Sequence, residues 1–406
     1  MPNDPATRLE KAQARIDDPA IPEQLLLVPG PTPVPREVRL YGASPLINHR
    51  SQPFRDLYKR VHVGLRQVFQ TEHEVFVWPA SGTGVLECAL VNCFSPGDRV
   101  LSLSMGAFGE RFAEIAAAFG LEVERLETPY GRGVDPDAVA RRLAQDAAGP
   151  GPRFAGVLIT FNETSTGVLA DLPALLPAVR EHGALSLVDA VSGLGGADLR
   201  MDAWGCDVVI TGSQKALMTP PGLGVIGVGP RAKQAGERAR LPRAYWDWRP
   251  YRAMADHGET PYTPAVSLWY ELDASLRRIL AAGLPQVFAR HKAMAATARA
   301  AFSAAGFPPL TSEADASPTV TAARLAEGVA FADLSAALEA RGATIAGGMG
   351  PLKGKMLRIG HMGGLAGSDL LRFFALLDDS LAGLGAAGAH RAAPAAQAAA
   401  RAAGLV

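Results

Sequence analysis

The sequence predicts an α/β fold: a large domain with a mainly parallel sheet sandwiched by helices, followed by a small C-terminal α+β domain. Three observations predict it. Short β-branched runs alternate with helix-patterned segments between residues 54 and 229. Most of those runs are apolar throughout, as strands covered on both faces are, rather than apolar on alternate residues. From about residue 289 the pattern changes to helices around two β-rich segments, "PTVTAARL" and "KMLRIGHMG".

In "FRDLYKRVHVGLRQVF", the residues Phe54, Leu57, Tyr58, Val61, Leu65, Val68 and Phe69 recur at helix spacing. "EVFVWP" then reads as a strand, "VLECALVNCF" as a helix and "DRVLSLS" as a strand. The helix "FGERFAEIAAAFG" closes on Gly120, and "VDPDAVARRLAQD" opens with Asp135 as a cap and Pro136 in the first turn. The strand "GVLIT", the helix "DLPALLPAVREHG" and the strands "LSLVDA", "DVVITGS" and "LGVIGVG" follow. The expected organisation is an N-terminal arm over 1–26, a large domain over 27–288 and a small domain over 289–386. The Ala-rich tail over 387–406, with little to bury, is expected to be disordered.

The chain has 406 residues, with 48% hydrophobic and 20% charged, ordinary for a packed enzyme. Lys+Arg and Asp+Glu are both 40, a balance that gives no support for a nucleic-acid or anionic-membrane partner. Three cysteines, Cys88, Cys93 and Cys206, with no CxxC pair, offer neither a disulfide framework nor a zinc site, so no metal is expected. No apolar run has membrane-spanning length and the charged N-terminus lacks a secretory core, so a cytoplasmic location is expected.

Ligands of open parallel sheets bind beyond the carboxyl ends of the strands. Four polar points fall there. "PASGTGVLECAL" places Ser81 and Thr83 at a helix N-terminus, a ready anion cradle, though an ordinary N-cap has the same look. "LITFNETSTGVLAD" is polar immediately after a strand and reads alone as a connector. Asp189 ends an apolar strand, and Lys215 follows the next one among Ile, Ala, Leu and Met. Each has a structural reading: a hydrogen-bonded Asp, a lysine with a buried stem and solvated head. Together, a phosphate cup, an acid and an amine are what pyridoxal 5′-phosphate requires.

Seven segments resemble the class V, fold type I pyridoxal-phosphate aminotransferases, in their alanine–glyoxylate and serine–glyoxylate branch. They are "PGPTPVP", "PASGTGVLECAL", "NETSTGV", "LVDAVSGLGG", "GSQKALMTPPGLG", "YTPAVSLWYEL" and "LRIGHMG", in family order over roughly residues 26 to 385. The resemblance implies that Lys215 bonds covalently to the cofactor and then moves the proton, while Asp189 holds the pyridine nitrogen. It implies that Ser81, Gly82 and Thr83 cup the phosphate with help from Gln214, that Thr164 reaches the phenolic oxygen, and that Val191 packs on the ring. Phe108 stands where several relatives stack a Trp on the ring, and the loop around Phe161 and Asn162 also departs from the family pattern. Arg358 is expected to clamp the substrate carboxylate and Gly30 to line the entrance. Thr263, assisted by Tyr262, is expected to reach the cofactor of a neighbouring subunit, which implies a homodimer.

The activity so implied is transfer of an amino group from alanine or serine to glyoxylate or pyruvate, by a ping-pong route. Two rivals are a lyase or desulfurase of the same fold and a non-catalytic subunit that keeps the fold. A desulfurase needs a cysteine on a mobile loop, whereas all three cysteines fall in or beside regular elements.

Overall fold

The computed structural model describes residues 24–406. Its centre is a seven-stranded sheet: β1 (Glu74–Pro79), β2 (Arg99–Ser104), β3 (Glu122–Glu127), β4 (Gly156–Thr160), β5 (Leu185–Asp189), β6 (Val208–Gly212) and β7 (Leu223–Val228). The spatial order is β1-β7-β6-β5-β4-β2-β3. All neighbours are parallel except β7, which runs antiparallel to both β1 and β6. The strands β4, β5, β6 and β7 are buried at every position, as their continuous apolar runs require.

Helices cover both faces. In Gln52–Phe69 every residue of the apolar stripe is buried, and the helix stops where Gln70 turns left-handed. The helix Pro136–Ala148 is capped by Asp135 with Pro136 in its first turn, as its sequence indicates. β3 and the helix Val266–Ala282 are among the elements that the sequence does not signal. β3, "EVERLE", is the sheet edge and is mostly exposed, so it needs no apolar run; its charges also discourage pairing with another edge. The helix Val266–Ala282 lies against Gln52–Phe69.

The C-terminal part carries a three-stranded antiparallel sheet, β8 (Val320–Arg324), β9 (Ala346–Gly347) and β10 (Met356–Gly360), with β10 in the middle. Leu25–Leu26 pairs in parallel with Ala343–Thr344, and Leu27 is buried in the C-terminal core. These residues therefore pack with the small part of the molecule, although they sit at the junction expected between arm and large domain. Residues 1–23 of the expected arm lie outside the described residues.

The expectation of a disordered tail is corrected. Residues Ala392–Ala402 form a helix whose Ala392, Ala396 and Ala400 are buried on one face, against the helices Leu284–Ala304 and Gly367–Gly383. Alanine is the best helix former, and its small side chain lets helices approach closely. Asp378, from the preceding helix, anchors the start: its carboxylate accepts the backbone N–H groups of Arg391, Ala392 and Ala393 at 3.1, 3.0 and 2.8 Å. Among the described residues no helix is long and apolar enough to cross a membrane.

Candidate active site

The carboxyl ends of β4, β5 and β6 lie side by side, with Thr160 paired to Asp189 and Asp189 to Ile210. A cavity of about 240 Å³ opens over these ends. Its lining brings together Gly30, Ser81, Gly82, Thr83, Phe108, Thr164, Asp189, Val191, Gln214 and Lys215. Among the residues named from the sequence, Arg358, Tyr262 and Thr263 do not line it.

Lys215 is 8% exposed and its Nζ donates to the Pro29 carbonyl at 2.6 Å. Desolvation lowers its pKa to about 8, against the opposing pull of Asp189, so the amine is poised to lose its proton near neutrality. The segment around Pro29 also grips the chain beneath the lysine: Thr32 Oγ1 donates to the Lys215 carbonyl at 3.0 Å. Gly30 has φ +148°, and a Cβ built there would stand 2.3 Å from Lys215 Nζ. Only glycine leaves room for the amine.

Asp189 is buried, and desolvation raises its pKa to about 6. Its Oδ1 accepts only the Val191 N–H, at 3.0 Å. A buried carboxylate with one donor retains capacity for another. Across the cavity, Ser81 caps the helix Gly82–Cys93, its Oγ accepting the Gly84 N–H at 3.3 Å. Backbone N–H groups of that first turn have no helical partner and favour an anion. A Cβ at Gly82 would meet Val191 Cγ2 at 2.8 Å, so glycine lets Val191 close over the site. The buried Gln214 Oε1 has no partner among the described residues.

Thr164 Oγ1 donates to Ser192 Oγ at 2.7 Å, and Ser192 Oγ donates to the Asn162 carbonyl at 2.9 Å. Asn162 Nδ2 donates back to Ser192 Oγ at 2.7 Å. Arg358, on β10, is buried; its Nη1 donates to the Thr164 carbonyl at 3.0 Å and its Nε to the Gly347 carbonyl at 2.8 Å. It stands behind the Thr164 loop. Tyr262 and Thr263 are exposed, and Tyr262 stacks on Tyr245 with ring centroids 5.4 Å apart.

Four further residues belong here. Arg111, Asn162 and Ser192 line the cavity. Glu163 is fully buried beneath it and accepts the N–H groups of Phe108, Gly109 and Ser165 at 3.1, 3.0 and 2.9 Å, and the Ser165 hydroxyl at 2.6 Å. That carboxylate caps the helix Ala107–Ala118 and fixes the backbone of Phe108. The one sequence signal for Glu163 and Asn162 is the polar run directly after β4; Ser192 and Arg111 had none. All three cysteines are buried outside this lining, and desolvation pushes the Cys206 thiol up to about 12. Among the described residues no group of three or more His, Cys, Asp or Glu is placed to share a metal ion.

A covered parallel sheet, with a buried acid at one strand end and a buried lysine just past the next, both facing a helix N-terminus, is the ligand site of an open-sheet α/β enzyme. The model of the class-V aminotransferases matches residues 39–362, and the chain belongs to that family. The family depends on pyridoxal phosphate, and the chain is an aminotransferase. It is 40% identical over 370 residues to the L-aspartate–glyoxylate aminotransferase of Paracoccus denitrificans, covering 89% of this chain and 91% of that one. It is 40% identical over 363 residues to the soluble hydrogenase 42 kDa subunit of Anabaena cylindrica, covering 89% and 94%. The crystal structure of a subgroup IV aspartate aminotransferase from Thermus thermophilus superposes with a TM-score of 0.81 at 36% identity, covering 88% of this chain and 99% of that one.

Proposed function

We propose that the cavity over β4, β5 and β6 holds pyridoxal 5′-phosphate, and that the chain uses it to move an amino group from alanine or serine to glyoxylate or pyruvate. The observation that carries this reading is the pairing of Lys215, its pKa lowered to about 8, with the buried Asp189 in one cavity. Bound there, the cofactor supplies an aldehyde for amino groups and a ring that draws electrons from the substrate carbon. The rest is the work of the chain.

Ser81, Gly82 and Thr83 hold the phosphate with backbone N–H groups and hydroxyls, and Gln214 assists from the floor. Asp189 keeps a proton on the ring nitrogen, Val191 closes one ring face, and Phe108 stacks on the ring. Thr164 donates to the phenolic oxygen. Lys215 would anchor the cofactor and, as a free amine, would take the proton from the substrate carbon and return it. Arg358 grips the substrate carboxylate with its planar fork. Gly30 keeps the entrance beside the amine clear. Donor and acceptor use the same residues in turn, so the kinetics are ping-pong.

The resemblance carried by the seven sequence segments favours a small donor, alanine or serine. The acceptor glyoxylate is named for the Paracoccus relative. A second reading, aspartate as donor, is favoured by Arg111, a further guanidinium in the lining that could meet a second carboxylate. We also propose that the chain works as a cytoplasmic homodimer. Tyr262 and Thr263 are exposed outside their own cavity, as residues serving a partner's cofactor would be in a single chain.

Borohydride reduction of the yellow holoenzyme followed by peptide mapping tests the cofactor site; an unmodified Lys215 overturns it. Bleaching by alanine, serine and aspartate in turn, with recovery on glyoxylate or pyruvate, then separates the donors. Colour without bleaching by any of them would favour another donor or a lyase, and absence of bound cofactor would favour a non-catalytic subunit.

A further inference from the structure

A second cavity, again of about 240 Å³ and open to solvent on one side, lies on the other side of the lysine segment. One wall is Ala216 and Met218, just past Lys215; the opposite wall is Gly363–Ala366, the loop that follows β10 and Arg358. Its polar groups are Arg278, Arg290 and His291, and no Asp or Glu lines it among the described residues. Arg278 already pairs with Glu37. Arg290 donates Nη1 to the Leu365 carbonyl at 2.8 Å and is mostly buried, and it has no carboxylate within ion-pair distance among the described residues. Burial, and then the like charge of Arg278, both weigh against its ionised form.

A guanidinium keeps its charge in proteins, so it cannot relieve this cost by releasing a proton. The compensation available is a counter-anion, for which the planar fork still has unused N–H groups. The walls are held close. A Cβ at Gly363 would stand 2.4 Å from Thr32 Oγ1, and one at Gly364 would stand 2.9 Å from the Pro33 carbonyl. The loop is therefore tied to the segment that continues from Gly30 at the active-site entrance. Met218 adopts φ +51°, an uncommon conformation for a side-chain-bearing residue, at the wall facing that loop.

We propose that this cavity is a binding site for a small oxyanion, a carboxylate or phosphate, held by Arg290 and separate from the catalytic cavity. Its occupant bridges the Lys215 segment and the loop after Arg358, so anion concentration acts on the spacing between the two groups that handle the substrate.

The test uses cofactor-loaded Arg358→Gln enzyme, in which the phosphate cradle is filled and the substrate clamp removed. Isothermal titration with malonate and, separately, with inorganic phosphate is run at constant ionic strength. One saturable site per chain is expected with at least one of them, and the tighter anion identifies the source. Adding Arg290→Gln is expected to weaken that site at least about tenfold, the effect of losing a charge-assisted hydrogen-bonding group. Ala282→Glu, which places a carboxylate in the lining, is expected to weaken it similarly, and serves if Arg290→Gln does not fold. Absence of binding by either anion, or binding unchanged by these substitutions, overturns the proposal.

Discussion

A β-carbon at Gly30 would stand 2.3 Å from Lys215 Nζ, far inside van der Waals contact, on a backbone that already sits at φ +148°. Position 30 therefore sets the space in which the amine lies. Replacing it forces either the lysine or the segment from Pro29 to move, and the same amine donates to the Pro29 carbonyl. Gly30→Ala is expected to lower cofactor retention and turnover about 10- to 100-fold, the equivalent of about 1–3 kcal/mol of backbone strain. The checks are equilibrium dialysis of the bound chromophore and kcat. Wild-type retention in this variant would show that the segment yields without cost.

The two central charges also set a pH dependence of the cofactor-free protein. The folded pKa of Lys215 is depressed from 10.5 to about 8. Between those values the unfolded chain holds a proton that the folded chain has lost, so stability rises with pH across that window. The folded pKa of Asp189 is raised from 3.8 to about 6, so between those values the folded chain holds the extra proton and stability falls as pH rises. At pH 7 both groups oppose folding. Asp189→Asn is expected to stabilise the cofactor-free protein at pH 7 by on the order of 1–3 kcal/mol, with the gain fading as pH falls from about 6 and gone by about pH 4. Urea unfolding at both pH values measures it; equal gains at the two would rule out the buried charge as the cause.

Glu163 was legible only as one polar residue in a connector, yet its carboxylate organises the cavity wall. Phe108 N–H and Gly109 N–H, at 3.1 and 3.0 Å, need an acceptor, and glutamine would turn its NH₂ toward part of that set. Glu163→Gln is expected to cost about 1–3 kcal/mol through unsatisfied donors, and to speed cofactor release as Phe108 loosens. Calorimetric melting and the dissociation rate of the chromophore read the two effects separately. An unchanged dissociation rate alongside a lowered melting temperature would confine Glu163 to a structural role.

What could be read in advance follows from how many residues a feature needs. Asp189 ends one apolar strand and Lys215 lies just past the next, so a charge beside an apolar run marks each of them in the chain itself. Buried strands and the stripe of Gln52–Phe69 are likewise local patterns. Glu163 becomes exceptional only when β4 brings it beneath a helix more than fifty residues earlier in the chain. The alanine tail looked disordered because its own residues bury little; its order comes from Asp378 and two partner helices. The strand β3 was invisible because a sheet edge makes few demands on composition. Arg358 was legible as a residue type, but its bond to the Thr164 carbonyl is a product of the fold.

Ser192 governs the direction of the Thr164 hydroxyl. Thr164 has one hydroxyl proton, and it is directed to Ser192 Oγ at 2.7 Å. For Thr164 to donate to the cofactor's phenolic oxygen, that bond has to be given up. Ser192 is then left with the Asn162 amide as donor and must turn its own proton toward Thr164 or keep it on the Asn162 carbonyl. In Ser192→Ala the competition disappears, and Thr164 donates to the phenolic oxygen without loss. A hydrogen bond donated there favours the deprotonated oxygen, so the bound chromophore is expected to change colour at lower pH. The shift is expected to be up to about one unit, the size of one net hydrogen bond. A spectrophotometric titration of the holoenzyme between pH 5 and 10 reads it directly. Thr164→Val should move the same titration the opposite way, because it removes the donor altogether. Shifts of the same sign in both variants would show that Ser192 supports the loop without steering the proton.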